Sequence, residues 1–77
     1  PVATHQLAAS DWAIGRTIAD VNLRAATGVS VLAVRREGRA WPSPPPDFPL
    51  KAEDVLYLLG DDTDVLLARD RLTHGGR

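Results

Sequence analysis

A proline-rich stretch in the middle of the chain constrains its fold more than any other feature. Five of the six prolines lie between Pro42 and Pro49. Proline lacks the amide hydrogen that helices and central strands need, and it also restricts the residue before it. We therefore predict that residues 42–49 form a rigid, extended loop across the body of the domain. A proline-rich ligand for the aromatic groove of another protein is the alternative interpretation.

The residues before this loop predict two strands and a helix. His5 to Ala9 is a candidate first strand. Thr17 to Thr27 carries apolar residues at helical spacing, with Asp20 three residues after Thr17 as in a capping box and Gly28 placed to end the helix. Val29 to Val34 is rich in β-branched residues, which favours a buried central strand.

The central strand is followed by a turn signal, Glu37-Gly38, which predicts a tight hairpin. After the proline-rich loop, Asp54 leads into a buried strand from Val55 to Leu59, and Gly60 closes it. Acidic residues 61, 62 and 64 then precede an apolar pattern that ends with Arg69 and Arg71. This charge order matches the dipole of a last helix.

These elements predict an α+β fold of the order β-α-β-β-(β)-α, with one mixed or antiparallel sheet covered by two helices. We expect residues 1–9 to be a lead-in or first strand, residues 10–72 to form the domain, and residues 73–77 to fray. A domain of 77 residues is marginally stable alone, and small domains of this kind often depend on a partner subunit.

Composition narrows the class of protein further. The net charge of −1 argues against a protein that binds nucleic acid through many phosphates. The longest apolar run, Val55 to Leu59, is far short of the roughly 20 residues that span a bilayer. The absence of Cys permits a cytoplasmic location, and the absence of Met with a start at Pro1 favours a piece of a longer protein.

Catalytic chemistry finds little support in these residues. The only histidines, His5 and His74, lie in the terminal segments, where we expect neither to be held rigidly. The acids at 61, 62 and 64 are explained by helix capping rather than by a metal. No glycine-rich phosphate loop is present. We therefore predict a binding domain without enzymatic activity, cofactor or metal.

Five motifs follow one another along the chain: Trp12 to Asp20, Asn22 to Arg24, Thr27 to Arg36, Ser43-Pro44 with Pro46 to Phe48, and Glu53 to Gly60. In this order they resemble the TrkA-C domain, the C-terminal lobe of the RCK modules that regulate potassium channels and transporters. The resemblance covers residues 10–70, and within the family it is nearest to regulatory subunits of bacterial cation/proton antiporters. One departure is Ala52, where the family commonly has Gly, so the turn into the late strand is expected to differ.

The resemblance implies a homodimer with a ligand cleft near its two-fold axis, which in several relatives holds cyclic di-AMP. The resemblance implies, position by position, that Ile18 and Ala19 line the site of the nucleotide base, that Arg24 pairs with a phosphate, and that Pro46 closes the pocket. Ser30 stands where relatives use Asn, and its single hydroxyl reaches less far. The alternatives are that Ile18 is core, Arg24 is a solvated cation and Ser30 bonds a neighbouring backbone group.

Two functions follow from these expectations. The first is a cytoplasmic regulatory domain that biases a membrane-embedded cation transporter or channel when a ligand occupies the dimer cleft. The second is a structural dimerisation module of a transporter regulatory subunit that has no ligand of its own.

Overall fold

The structure, a computed structural model, describes residues 2–75. Its elements are β1 (Val2–Gln6), α1 (Ile18–Val21), α2 (Leu23–Thr27), β2 (Ser30–Arg36), β3 (Arg39–Pro42), β4 (Val55–Leu59) and α3 (Asp62–His74). The strands form one antiparallel sheet in the order β1-β4-β2-β3. The predicted α+β class is confirmed, and the sheet is antiparallel throughout residues 2–75.

The two strands predicted to be buried occupy the centre of the sheet. β4 lies between β1 and β2, and Val34 of β2 pairs with Leu56. Val34, Leu56 and Leu58 are fully buried, because alternate side chains of these strands face the helices. The core also takes side chains from the helices and loops. Its members are Leu7, Ala13, Val21, Leu23, Val29, Val34, Phe48, Leu50, Leu56, Leu58, Val65, Ala68 and Leu72.

The first strand lies earlier than predicted, at Val2–Gln6 instead of His5 to Ala9. Leu7 still exchanges backbone hydrogen bonds with residues 53 and 54, but its side chain enters the core. The chain then turns at Ala8, whose amide donates to the carboxylate of Asp11 at 3.1 Å. This turn ends the strand before Ala9.

The predicted helix from Thr17 to Thr27 is two short helices. Asn22 lies between α1 and α2 in the left-handed conformation, with φ 53° and ψ 47°, which interrupts the helical backbone. Asparagine tolerates this conformation better than most residues. The capping box of Thr17 and Asp20 is confirmed, as is the left-handed stop at Gly28, with φ 84°.

The turns on either side of the proline-rich loop each contain a residue other than glycine with a positive φ angle. Glu37 and Gly38 both have positive φ, at 53° and 77°, which confirms the tight hairpin between β2 and β3. Pro42, predicted to lie in the loop, instead ends β3, because an edge strand tolerates proline. Before β4 the left-handed residue is Glu53, with φ 73°, so Ala52 is spared that conformation.

The last helix reaches two residues beyond the predicted end of the domain. Asp61 caps its amino end by accepting from the amide of Asp64 at 2.9 Å. At the other end, the carbonyl of Thr73 accepts from the amide of Trp12 at 3.0 Å. The helix therefore continues through Thr73 to His74, and fraying of residues 73–77 stays a prediction. Gly76 and Arg77 lie outside the described residues.

Candidate ligand cavity

A cavity of about 300 Å³ lies between the two short helices, the start of β2 and the proline-rich loop. Its lining is mainly apolar, with three polar or charged side chains. The lining residues are Ile18, Ala19, Val21, Asn22, Leu23, Arg24, Val29, Ser30, Val31, Pro44, Pro46, Leu50, Leu56 and Leu72. An apolar concave surface with a few polar groups is typical of small-molecule sites.

One side of the cavity is formed by residues 17–24 together with residues 42–50, which we call the cavity wall. Backbone hydrogen bonds join its two segments. The amide of Ala19 donates to the carbonyl of Pro46 at 2.9 Å, and the amide of Ile18 donates to the carbonyl of Phe48 at 3.1 Å. The proline-rich loop therefore lies along the body of the domain, as predicted.

An ion pair anchors the loop to the sheet. Arg36 donates through Nε and Nη2 to the two carboxylate oxygens of Asp54, at 2.7 and 2.6 Å. The same Nη2 donates to the carbonyl of Pro49 at 2.9 Å, and the guanidinium lies 4.8 Å from the ring centroid of Phe48. The hydrogen bonds to Asp54 raise the pKa of Arg36. Asp54 is only 1% exposed, so this pair is the main polar anchor of the loop end.

Sequence reasoning missed this anchor. Arg36 and Asp54 lie eighteen residues apart, and nothing in their spacing predicts that they meet. They come together because β2 and β4 are neighbours, with Arg35 opposite Val55. The only signal in the sequence is that Arg36 follows the predicted strand Val29 to Val34 and that Asp54 directly precedes the predicted strand Val55 to Leu59.

The five predicted site residues all border the cavity. Ile18 and Ala19 lie on α1, Arg24 on α2, Ser30 at the start of β2 and Pro46 in the loop. The structure thus brings them together, and their contact with a ligand stays a prediction. Asn22 and Pro44 also line the cavity and were missed.

The structure bears differently on the three alternative interpretations. Ile18 is half-buried against the core, so a packing role for it stands. Arg24 is exposed and lies outside the ion pairs of residues 2–75, which leaves its guanidinium open to solvent or to a ligand. The alternative for Ser30 was a hydrogen bond from its hydroxyl to a neighbouring backbone group, and the hydrogen bonds of residues 2–75 do not include one.

The histidines differ from each other in how firmly they are held. His5 lies in β1 with Nε2 3.3 Å from Oδ2 of the buried Asp11, so the expectation that it is loosely placed is wrong. His74 ends α3 and is exposed. Neither borders the cavity. Across residues 2–75 there is no cluster of three potential metal ligands.

Over the same described range, no helix has the length and apolar character needed to cross a membrane.

The fold and the cavity define a small α+β domain with an apolar site beside a proline-rich loop. The chain belongs to the TrkA-C domain family, whose model matches residues 2–73. This result confirms the family resemblance of the sequence and extends it to β1.

Two curated relatives are potassium transport proteins. The chain is 36% identical over 50 residues to "Probable potassium channel protein 2" of Methanocaldococcus jannaschii, which covers 65% of this chain and 15% of that protein. It is 28% identical over 69 residues to "Ktr system potassium uptake protein C" of Bacillus subtilis, which covers 90% of this chain and 31% of that protein. The chain therefore spans less than a third of either relative.

Two solved structures share the fold. The RCK C domain of the potassium transport protein KtrA, in complex with cyclic di-AMP, has a TM-score of 0.79 and 26% identity, covering 86% of this chain and 75% of that one. The RCK_C domain dimer of Streptococcus agalactiae BusR, also with cyclic di-AMP, has a TM-score of 0.80 and 22% identity, covering 94% and 93%. The BusR likeness establishes the fold alone.

Proposed function

We propose that this chain is the sensory lobe of a regulatory protein for potassium or other cation transport, and that two copies bind cyclic di-AMP in a shared cleft. The observation that carries the proposal is the cavity itself. All five predicted residues line it, its surface is mainly apolar, and the guanidinium of Arg24 is exposed beside it. The curated relatives and the KtrA domain support the transport role and the ligand. Control of an antiporter, a cytoplasmic location and the lack of a nucleic acid partner stay predictions.

The cavity suits one half of a cyclic dinucleotide. Its apolar side chains, among them Ile18, Ala19 and Pro46, offer a surface for a planar base. Arg24 supplies a cation whose planar fork matches the oxygens of a phosphate. About 300 Å³ is at the small end of the range for ligand pockets. A two-fold symmetric ligand between two identical cavities would occupy both of them.

Signalling through such a cleft requires a difference between two arrangements of the protomers. A ligand that fills both cavities favours the arrangement in which they face each other at the right separation. The dimer then shifts its population only to the extent that the ligand binds that arrangement better. The linked transporter would respond to this shift.

Isothermal titration of cyclic di-AMP into the chain tests the proposal. We expect binding, and we expect Arg24→Ala to weaken it about 10- to 100-fold, because a charge-assisted hydrogen bond contributes about 1.5 to 3 kcal/mol. The control is Arg39→Ala, which removes the same charge from the exposed hairpin, outside the cavity lining. No heat with the natural sequence, or equal losses in both variants, would contradict the proposal.

The second candidate is a structural dimerisation module without a ligand. The observation in its favour is the outer surface of α3, where Leu66 and Leu67 are 65% and 53% exposed. Adjacent exposed leucines are candidates for a protein contact. Sedimentation would then show a dimer that Leu66→Asp dissociates, and cyclic di-AMP would leave its thermal midpoint unchanged.

A further inference from the structure

We propose that the Asn22 carboxamide hydrogen-bonds to the edge of the purine that enters the cavity and selects adenine over guanine. The inference rests on the proposed function, because it requires a nucleotide in this cavity. It concerns a residue that lies in one of the motifs of the family resemblance but was given no contact with a ligand in the sequence analysis.

The cavity offers few groups that can read a base. Its lining residues with polar or charged side chains are Asn22, Arg24 and Ser30. Arg24 only donates hydrogen bonds, and Ser30 has a single hydroxyl. Asn22 alone among the three has an acceptor and a donor side by side in one plane. It is therefore the one of the three that can accept from one atom of a base edge and donate to the next, whereas Arg24 can pair only with two acceptors.

The Asn22 side chain also has no other hydrogen-bonding role in the described chain. A residue that precedes a helix usually accepts a bond from a backbone amide of the first turn, and it does so from an extended conformation. Asn22 is left-handed instead, and its side chain makes no capping bond to α2. The side-chain hydrogen bonds of residues 2–75 do not include it, so its amide is open to a ligand.

Hydrogen bonds on both sides hold the backbone of Asn22 in place. Its backbone amide donates to the carbonyl of Ile18 at 3.0 Å, and its backbone carbonyl accepts from the amide of Ala26 at 3.1 Å. The neighbours on either side, Val21 and Leu23, are buried at 2% and 4% exposure. A side chain on so well-held a backbone loses less freedom when it binds.

The chemistry of the amide favours adenine. Adenine presents an amino donor at N6 beside an acceptor at N7, and the amide matches this pair with its oxygen and its NH₂ group. Guanine presents two acceptors, O6 and N7, along the same edge. The amide oxygen would face an acceptor there, so one of the two bonds is lost.

The test compares the natural chain with Asn22→Gly, because glycine adopts the left-handed conformation without strain and removes only the side chain. Binding of cyclic di-AMP and of cyclic di-GMP is measured by titration, and thermal melts monitor the fold. We expect cyclic di-AMP to bind the natural chain more tightly than cyclic di-GMP. We expect Asn22→Gly to weaken cyclic di-AMP about 5- to 150-fold, the value of one bidentate amide–base pair, and to weaken cyclic di-GMP less, because guanine can accept only one bond from the amide.

A second variant, Asn22→Asp, keeps the size of the side chain and the tolerance for the left-handed conformation but can no longer donate. It should also lose cyclic di-AMP affinity. If both variants bind cyclic di-AMP as tightly as the natural chain does, the only role of Asn22 is its left-handed backbone conformation. The inference is then overturned, while the proposed function stands. If the natural chain binds neither nucleotide, the proposed function and this inference both fail.

Discussion

Leu56 and Leu58 in the centre of the sheet are fully buried, whereas Ala19 and Pro46 in the cavity wall are exposed and meet through a backbone hydrogen bond. The sheet and α3 are held by apolar burial, to which many side chains contribute. The cavity wall contributes four side chains to the core, but its two segments are also joined by separate polar contacts, and the ion pair Arg36–Asp54 connects the end of its loop to the sheet. Single substitutions should therefore affect the two regions differently.

The largest effect is expected from the sheet. Leu58→Ala should lower the free energy of unfolding by about 3 to 5 kcal/mol, since it removes a fully buried side chain and leaves a cavity. Leu58 is 0% exposed and contacts the core beneath the helices. Chemical denaturation measures the loss. The control is Leu59→Ala, which shortens a leucine of the same strand that is 43% exposed; similar losses in both variants would show that the sheet core does not dominate stability.

Arg36→Ala should have an intermediate effect on stability and a local effect on the cavity wall. We expect a loss of about 2 to 3 kcal/mol, because the buried carboxylate of Asp54 loses its charged partner. Hydrogen exchange should become faster at the amides of Ile18 and Ala19, which donate to the proline-rich loop. Amides of β4 should change only with global stability.

The matched control for this variant is Arg35→Ala. Arg35 is the neighbouring arginine of β2, but it is exposed and lies 5.9 Å from the ring centroid of Tyr57. It should leave exchange in the loop as it is. Equal exchange in the two variants would mean that the ion pair does not anchor the cavity wall.

The smallest effect is expected at the start of α1. Thr17→Ala should cost about 1 kcal/mol, because it removes the hydroxyl that accepts from the amide of Asp20 at 3.1 Å. Thr63→Ala, in the first turn of α3, is the comparison, since none of the hydrogen bonds found in residues 2–75 uses its hydroxyl. A thermal midpoint that shifts equally in both variants would show that the capping box contributes nothing specific.

The sequence predicted the regions held by burial better than the region held by polar contacts. Val55 to Leu59 and the hairpin at Glu37-Gly38 were located because β-branched runs and turn dipeptides act locally. The break at Asn22 was missed because a helical pattern of apolar residues continues across it. The strand end at Gln6 was missed because it depends on Asp11 and on the late strand.

For the cavity, the five residues were located through family resemblance and not through their spacing. Ile18, Arg24 and Pro46 share no pattern that places them on one surface. The role of Arg36 in anchoring the wall depends on which strands are neighbours. Strand order follows from how the whole chain buries its apolar side chains, and a local pattern does not contain it.

The amino-acid sequence by itself determined the α+β class, the buried strands, the capping residues and the rigid loop, since each depends on the preferences of residues close together in the chain. The tertiary structure decided the strand order, the split of the first helix, the ion pair between Arg36 and Asp54, and the convergence of Asn22, Arg24 and Ser30 on one cavity. These features require contacts between distant segments, whose geometry is settled only when the core packs.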